Sequence, residues 1–196
     1  KYSEMINPED KSNFNDYLKT IIKQINQIEN LVNEFSDFAR MPKPLLSKNN
    51  LIEIVKSNIS ILKEIDKSIS INFKTQKDEM FIKCDMDQIS RTFFNLIKNS
   101  IESIREKSAK NADFNKIIDI EILDKNDYIT SIITDNGIGF STDIIKKITK
   151  PYFTTKREGS GLGLSIVNKI INDHNGTIKF NSSKNGAKVE INLPKN

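Results

Sequence analysis

Three polar clusters interrupt otherwise apolar stretches of this 196-residue sequence, and each has residue types suited to phosphate or nucleotide chemistry. The first is Asn95-Leu96-Ile97-Lys98-Asn99-Ser100. Asn95 and Asn99 are four residues apart, so a helix sets both carboxamides on one face. Phe93, Phe94, Leu96, Ile97, Ile101 and Ile104 surround them, and burying two amides there is costly unless they have partners. Their oxygens suit Mg²⁺, which prefers oxygen ligands and shares them with phosphate; two asparagines that cap loops or face water are the other reading. The second cluster, Asp135-Asn136-Gly137-Ile138-Gly139-Phe140, directly follows a strand pattern. A carboxylate there accepts a hydrogen bond from an amino group such as that of adenine, and glycine lets a ligand approach the backbone. The same residues also make an ordinary turn. The third runs from Pro151-Tyr152-Phe153-Thr154-Thr155-Lys156-Arg157 into Gly159-Ser160-Gly161-Leu162-Gly163-Leu164-Ser165. A glycine-rich loop that opens into an apolar helix presents free N–H groups and the positive helix end to an anion, with Lys156 and Arg157 beside it; a plain surface loop is the alternative.

Competing chemistries are excluded by reading. No G-x-x-x-x-G-K-[ST] occurs. Leu164 stands where G-x-G-x-x-G needs its third glycine. No H-R-D or D-F-G is present, so the common Ser/Thr/Tyr kinase fold is excluded. The net charge of +4 comes with lysines spread throughout and no basic stripe interleaved with aromatics, which argues against nucleic acid. Cys84 is the only cysteine; it cannot form an internal disulfide and reads as a small buried apolar residue. The single histidine, His174, precedes Asn175-Gly176 and reads as part of a helix stop.

The elements that must position these clusters follow from periodicity. Asn7-Pro8-Glu9-Asp10 has the residues of a helix start. Phe14, Leu18, Ile21, Ile25, Ile28, Val32, Phe35 and Ala39 then follow at alternating spacings of 4 and 3, a heptad seam. Such a seam needs a partner: other helices of a bundle, or its own domain. Met41-Pro42-Lys43-Pro44 ends the helix and marks a boundary between residues 1–44 and 45–196. Beyond it, Leu51 to Ile65 has helical spacing, Ile69 to Phe73 alternates, and Met80 to Cys84 is a short strand. Asp85 or Asp87 caps a helix that runs to about Lys107 and carries Asn95 and Asn99. After a polar loop at Asn111 to Asn115, Ile118 to Ile122 and Tyr128 to Thr134 read as strands joined at Asp124 to Asp127. A helix from Leu162 to about His174 precedes a hairpin, Thr177 to Asn181 and Ala187 to Leu193, around Lys184-Asn185-Gly186. The mixture predicts an α+β sandwich with helices on one sheet face.

In this order and spacing the clusters resemble the asparagine, glycine and phenylalanine boxes of the Bergerat-type ATP-binding fold, a two-layer α/β sandwich. Histidine kinases, gyrase, a class of heat-shock chaperones and mismatch-repair ATPases share it, and the resemblance spans about Leu51 to Leu193. It implies ATP and Mg²⁺ as cofactors. Asn99 is then the Mg²⁺ ligand with Asn95 in support, and Asp135 holds the adenine amino group. Gly137 and Gly139 make room for the nucleotide. Gly159, Gly161 and Gly163 wrap the phosphates in a lid, together with Thr155, Lys156 and Leu162. Hydrolysing branches of the fold carry a glutamate four residues before the Mg²⁺-binding asparagine; here Asn95 stands there, and a carboxamide is a poor general base.

Phe153-Thr154-Thr155-Lys156 resembles histidine kinases, and Phe35-Ser36-Asp37-Phe38-Ala39-Arg40-Met41-Pro42-Lys43-Pro44 resembles the end of the second dimerisation helix in nitrogen-regulation-type sensors. The resemblance implies a protein-histidine kinase, with Asn95, Asn99 and Lys156 in the catalytic machinery. It implies a homodimer through residues 14–39, a response-regulator receiver domain as partner, and a phospho-acceptor histidine on a helix before Lys1. A cytoplasmic location is implied, with membrane attachment only through segments outside this sequence. A nucleotide-binding dimerisation module without kinase activity and a hydrolysing ATPase of the same fold are the alternatives. No run of 18 apolar residues or signal-peptide pattern occurs in the sequence itself.

Overall fold

A computed structural model describes residues 8–109, 114–156, 159–183 and 185–195. The elements are α1 (Pro8–Ala39), β1 (Ser47–Asn50), α2 (Leu51–Ile65), β2 (Ser70–Thr75), β3 (Phe81–Cys84), α3 (Met86–Ser108), β4 (Ile117–Asp124), β5 (Tyr128–Asp135), α4 (Thr142–Ile145), α5 (Gly163–Asp173), β6 (Thr177–Ser183) and β7 (Gly186–Pro194). They fall into two units: α1, with which the Thr155–Ser160 segment groups, and Pro42–Thr154 with Gly161–Asn196.

In the first unit the heptad seam forms one continuous helix. The Arg40 N–H donates to the Ser36 carbonyl at 2.9 Å and closes the last turn before Pro42. Phe14, Ile25, Ile28 and Val32 are each more than half exposed, so this single chain leaves the seam uncovered. Asn7, at the expected helix start, lies outside the described residues. Among the described residues no helix is long and apolar enough to cross a membrane.

In the second unit five strands form a mixed sheet in the order β2-β4-β5-β7-β6, with β2 parallel to β4 and every other pair antiparallel. Strand alternation sorts the faces. Ile118, Ile120, Ile122, Ile129, Ile133, Ile191 and Leu193 are buried. The opposite face carries Asn72, Asp119 and Glu121, with the Asn72 amide donating to Asp119 at 2.9 Å. Helices α2, α3 and α5 supply the other half of the core through Val55, Leu62, Ile89, Phe93, Ile97, Ile104, Val167 and Ile170. Cys84 is fully buried, and burial pushes its thiol up to about 11, as befits an inert core residue.

A separate two-stranded sheet joins β1 to β3. Periodicity does not announce β1, because Ser47-Lys48-Asn49-Asn50 has no apolar alternation; its asparagines hold it. The Asn50 side chain accepts from Ile52 at 3.2 Å, capping α2, and from the Met80 N–H at 3.1 Å. Asn49 donates to the Cys84 carbonyl at 2.9 Å. Short α4 is likewise unannounced and starts at a Ser141 cap.

Of the two candidate caps for α3, Asp85 serves, accepting from the Gln88 N–H at 3.1 Å and from the Leu45 N–H at 2.9 Å. Its own N–H donates to Nε2 of His174 at 3.0 Å. Nδ1 of His174 lies 2.8 Å from the Ile170 carbonyl, so the ring is the neutral tautomer with its proton on Nδ1. Buried His174 thus ties the end of α5 to the start of α3. The left-handed residue at the α5 stop is Asn175 (φ 55°) rather than Gly176; a Cβ on Gly176 would lie 2.7 Å from the Asn192 carbonyl oxygen of β7. His174→Ala leaves the Asp85 N–H buried and unpaired, and should cost about 2 kcal/mol in urea unfolding. An unchanged urea midpoint would refute this structural role.

Candidate functional site

Asp135 ends β5 at the centre of the sheet and is 6% exposed. Burial pushes its carboxyl above the usual carboxylate range. Hydrogen bonds from the Gly137 N–H, the Ser100 hydroxyl and the Ala187 N–H, and then the positive charge of Lys107, work against that rise. Gly137 and Ala187 reach the same oxygen, Oδ1, at 2.9 and 3.3 Å. The carboxylate is therefore fixed in orientation from three elements.

The loop after it is locked onto α3. Ser103 accepts from the Ile138 N–H at 3.0 Å, and Lys107 donates to the carbonyls of Asn136 and Gly137 at 2.7 and 2.9 Å. A Cβ on Gly137 would stand 2.2 Å from Ser103 Oγ and 2.7 Å from the Ser103 carbonyl carbon. Gly137 therefore has a packing requirement against α3, distinct from room for a ligand. Gly139 lies against the β6–β7 turn, with Gly186 O 2.8 Å from where its Cβ would be. Asn136 accepts from the Ile117 N–H at 3.0 Å and so fastens the loop to β4.

Asn95 and Asn99 lie one turn apart on α3, half-buried beside the fully buried Leu96 and Ile97. Ser103 and Lys107 continue the same four-residue spacing toward the loop. The sequence reading stopped at Asn99 and missed these two, as well as Ser100 on the Asp135 carboxylate. For Ser103 and Lys107 the one available signal is the four-residue spacing that continues from Asn95 and Asn99 along α3; Ser100 has none.

The glycine-rich segment enters α5 without a side-chain cap, with Leu162 at the N-cap position. Gly163 opens the helix, and nothing lies within 4 Å of where its Cβ would be. The Ser165 hydroxyl donates to the Leu162 carbonyl at 2.8 Å. Gly161 has φ 71°, and its Cβ would sit 2.5 Å from the carbonyl carbon of Tyr152, so no other residue fits. Tyr152 itself holds φ 65° while exposed, a strained backbone for a tyrosine.

Thr155, Lys156 and Gly159 belong to the segment that groups with α1. There the Gly159 N–H approaches the Lys156 carbonyl at 3.4 Å, and the Ser160 hydroxyl donates to the Glu34 carboxylate. Arg157 lies outside the described residues. Asn95, Asn99, Asp135, Gly137, Gly139, Gly161, Leu162 and Gly163 share the other unit. That unit holds a buried carboxylate, two half-buried carboxamides and a helix start without a side-chain cap. Among the described residues no group of three His, Cys, Asp or Glu side chains could hold a metal.

The profile of the histidine kinase-, DNA gyrase B- and HSP90-like ATPases matches residues 84–196. The chain is 38% identical over 97% of its length to a protein named as an NtrY-like sensor histidine kinase of Rickettsia prowazekii (strain Madrid E), of which it covers 31%. The chain spans about a third of the length of such curated relatives. Among solved structures, the nucleotide-free catalytic domain of histidine kinase ThkA aligns at TM-score 0.68 with 28% identity, covering 76% of this chain and 95% of that one. ThkA in complex with the response regulator TrrA aligns at TM-score 0.75 with 23% identity, over 99% of this chain and 54% of that one, a likeness of fold. The matched profile takes in the buried Asp135, the loop locked onto α3 and the glycine-rich entry to α5: the chain belongs to the histidine kinase-, DNA gyrase B- and HSP90-like ATPase family.

Proposed function

We propose that this chain binds Mg-ATP and delivers the γ-phosphoryl group to a histidine on a dimerisation helix, from which it passes to an aspartate of a response-regulator receiver domain. The observation that carries this reading is Asp135, a buried carboxylate held by three donors at the end of a central strand, an acceptor suited to a base amino group. In this reading Asn99, with Asn95, offers the oxygen ligands of Mg²⁺. The metal, when bound, neutralises charge on the phosphates. The N–H groups at the start of α5 and Gly161, Leu162 and Gly163 face the phosphates. Thr155, Lys156 and Gly159 belong to the lid.

Position and charge are what the chain supplies, and transfer to a placed imidazole needs no more than that. Asn95 cannot serve as the general base that hydrolysis requires, which favours transfer over hydrolysis. Residues 1–44 then act as a dimerisation helix and linker, and 45–196 as the catalytic domain. The uncovered seam of α1 supports homodimerisation. The response-regulator complex of ThkA, a similar fold, supports a receiver partner. A cytoplasmic position, with any membrane anchor in segments outside this chain, belongs to the same reading.

His174 is not an acceptor in this scheme, because both ring nitrogens are engaged and the ring is buried. Calorimetric titration of Mg-ATP followed by phosphotransfer to a separately supplied histidine-bearing dimerisation domain tests the proposal. Saturable binding and label on the supplied histidine are expected. Binding without label supports the nucleotide-gated module instead, and multiple-turnover phosphate release without label supports the ATPase.

A further inference from the structure

We propose that Lys107 is a positioning residue for the nucleotide site, holding the base-recognising edge in place. The inference rests on the reading of Asp135 as the adenine-binding carboxylate. The Lys107 ammonium donates to three backbone carbonyls: Asn136 at 2.7 Å, Gly137 at 2.9 Å and Asn185 at 3.2 Å. An ammonium has three donors and no acceptor, so this arrangement uses its full capacity. The acceptors come from two segments distant in sequence, the loop after β5 and the β6–β7 turn, and Lys107 anchors both to the last turn of α3. The Phe114 ring lies 4.9 Å from the nitrogen and covers it.

These three contacts are all to carbonyl oxygens, and the same charge acts on Asp135. The surfaces packed on Asp135 bring Ser100 from α3, Ile118 from β4 and Ala187 from β7, and none of these is ionised. Lys107 adds a positive charge that favours the ionised carboxylate, a smaller effect than burial or the three hydrogen bonds. Its ammonium opposes the burial that favours protonation. Loss of Lys107 should therefore let Asp135 take up a proton at higher pH than in the wild type.

A protonated Asp135 offers a weaker acceptor to a base amino group, so affinity for nucleotide must fall on acidification, and must fall earlier without Lys107. Arginine keeps the charge but has a planar fork in place of a tetrahedral tripod. The two tasks of Lys107 are thereby separable.

The test is the pH profile of Mg-ATP affinity, by calorimetry on the whole chain, for wild type, Lys107→Met and Lys107→Arg. Lys107→Met should weaken binding about tenfold at neutral pH, the loss of roughly one charge-assisted contact, and move the acid limb of the profile to higher pH. Lys107→Arg should return the acid limb toward wild type while leaving affinity reduced. A melting temperature that falls with the pH profile unmoved would show a merely structural lysine and overturn the inference. Should the wild type fail to bind Mg-ATP, the nucleotide reading itself is lost. Carbon-13 titration of the Asp135 carboxyl in nucleotide-free wild type and Lys107→Met still decides the matter: an upward shift in the variant supports the inference, and an unmoved midpoint overturns it.

Discussion

Asp135→Asn is expected to lower Mg-ATP affinity about a hundredfold, from the loss of a charged acceptor worth up to about 3 kcal/mol. The substitution is nearly isosteric. Its carbonyl oxygen can still accept from the Gly137 and Ala187 N–H groups, which meet at one oxygen in the wild type. The other position becomes an NH₂, a donor set against the amino group of the base. Stability should move the other way. Burial raises the Asp135 carboxyl above its unfolded value of 3.8, so the folded state binds the proton more tightly than the unfolded chain. That contribution is stabilising below the unfolded value and is lost as pH rises through the folded one, leaving ionised Asp135 as a burden at neutral pH. Asn carries no such burden, so thermal unfolding at neutral pH should be unchanged or higher. Calorimetry and a melting curve on the same sample check both halves; a variant that binds like wild type removes Asp135 from the site.

Gly137→Ala is expected to be strongly destabilising. The added carbon would lie 2.7 Å from the Ser103 carbonyl carbon and 2.9 Å from the Ile104 nitrogen. Both are backbone atoms of α3 and cannot rotate aside, unlike the Ser103 hydroxyl. Either the loop lifts from the helix, surrendering the Ser103 and Lys107 hydrogen bonds, or α3 shifts within its packing. A cost of about 3 kcal/mol follows from overpacking of this kind, with loss of nucleotide binding in the molecules that remain folded. Chemical denaturation of the variant measures the first effect. Gly163→Ala, where nothing lies within 4 Å of the added carbon, serves as a comparison for stability and should be tolerated there.

Those two residues show what the sequence made legible and what it did not. The Asn95–Asn99 spacing, the carboxylate after a strand and the glycines before a helix could be read because each is a short-range pattern with its own chemistry. The α3 and α5 helices and the main strands could be read because burial imposes their period. The reasons for Gly137 could not, since Ser103 is 34 residues earlier and only the fold brings it within contact. Ser100 and Lys107 were overlooked for the same cause: a serine or lysine on a helix is ordinary until a distant carboxylate or carbonyl arrives beside it. Strand β1 has no apolar alternation and exists through side-chain amides bonding to β3 and α2. His174 was legible as a helix stop, but its bond to the Asp85 N–H crosses 89 residues and needed coordinates.

The parallel pairing of β2 with β4 has a consequence for how the molecule assembles. A parallel pair cannot be closed by a tight turn. The chain between these two strands contains β3 and the whole of α3. The β4–β5 and β6–β7 hairpins pair residues close in sequence and pay little loop entropy, whereas β2 can join the sheet only across a long crossover. The crossover is the helix that bears Asn95 and Asn99. The ribbon ending in Asp135 therefore forms among the early local structures, while the helix that completes the site is seated with the late, non-local ones. If the proposed site is the nucleotide site, a nascent or partly unfolded chain holds half of it without the other half, and binding competence is expected only at the end of folding.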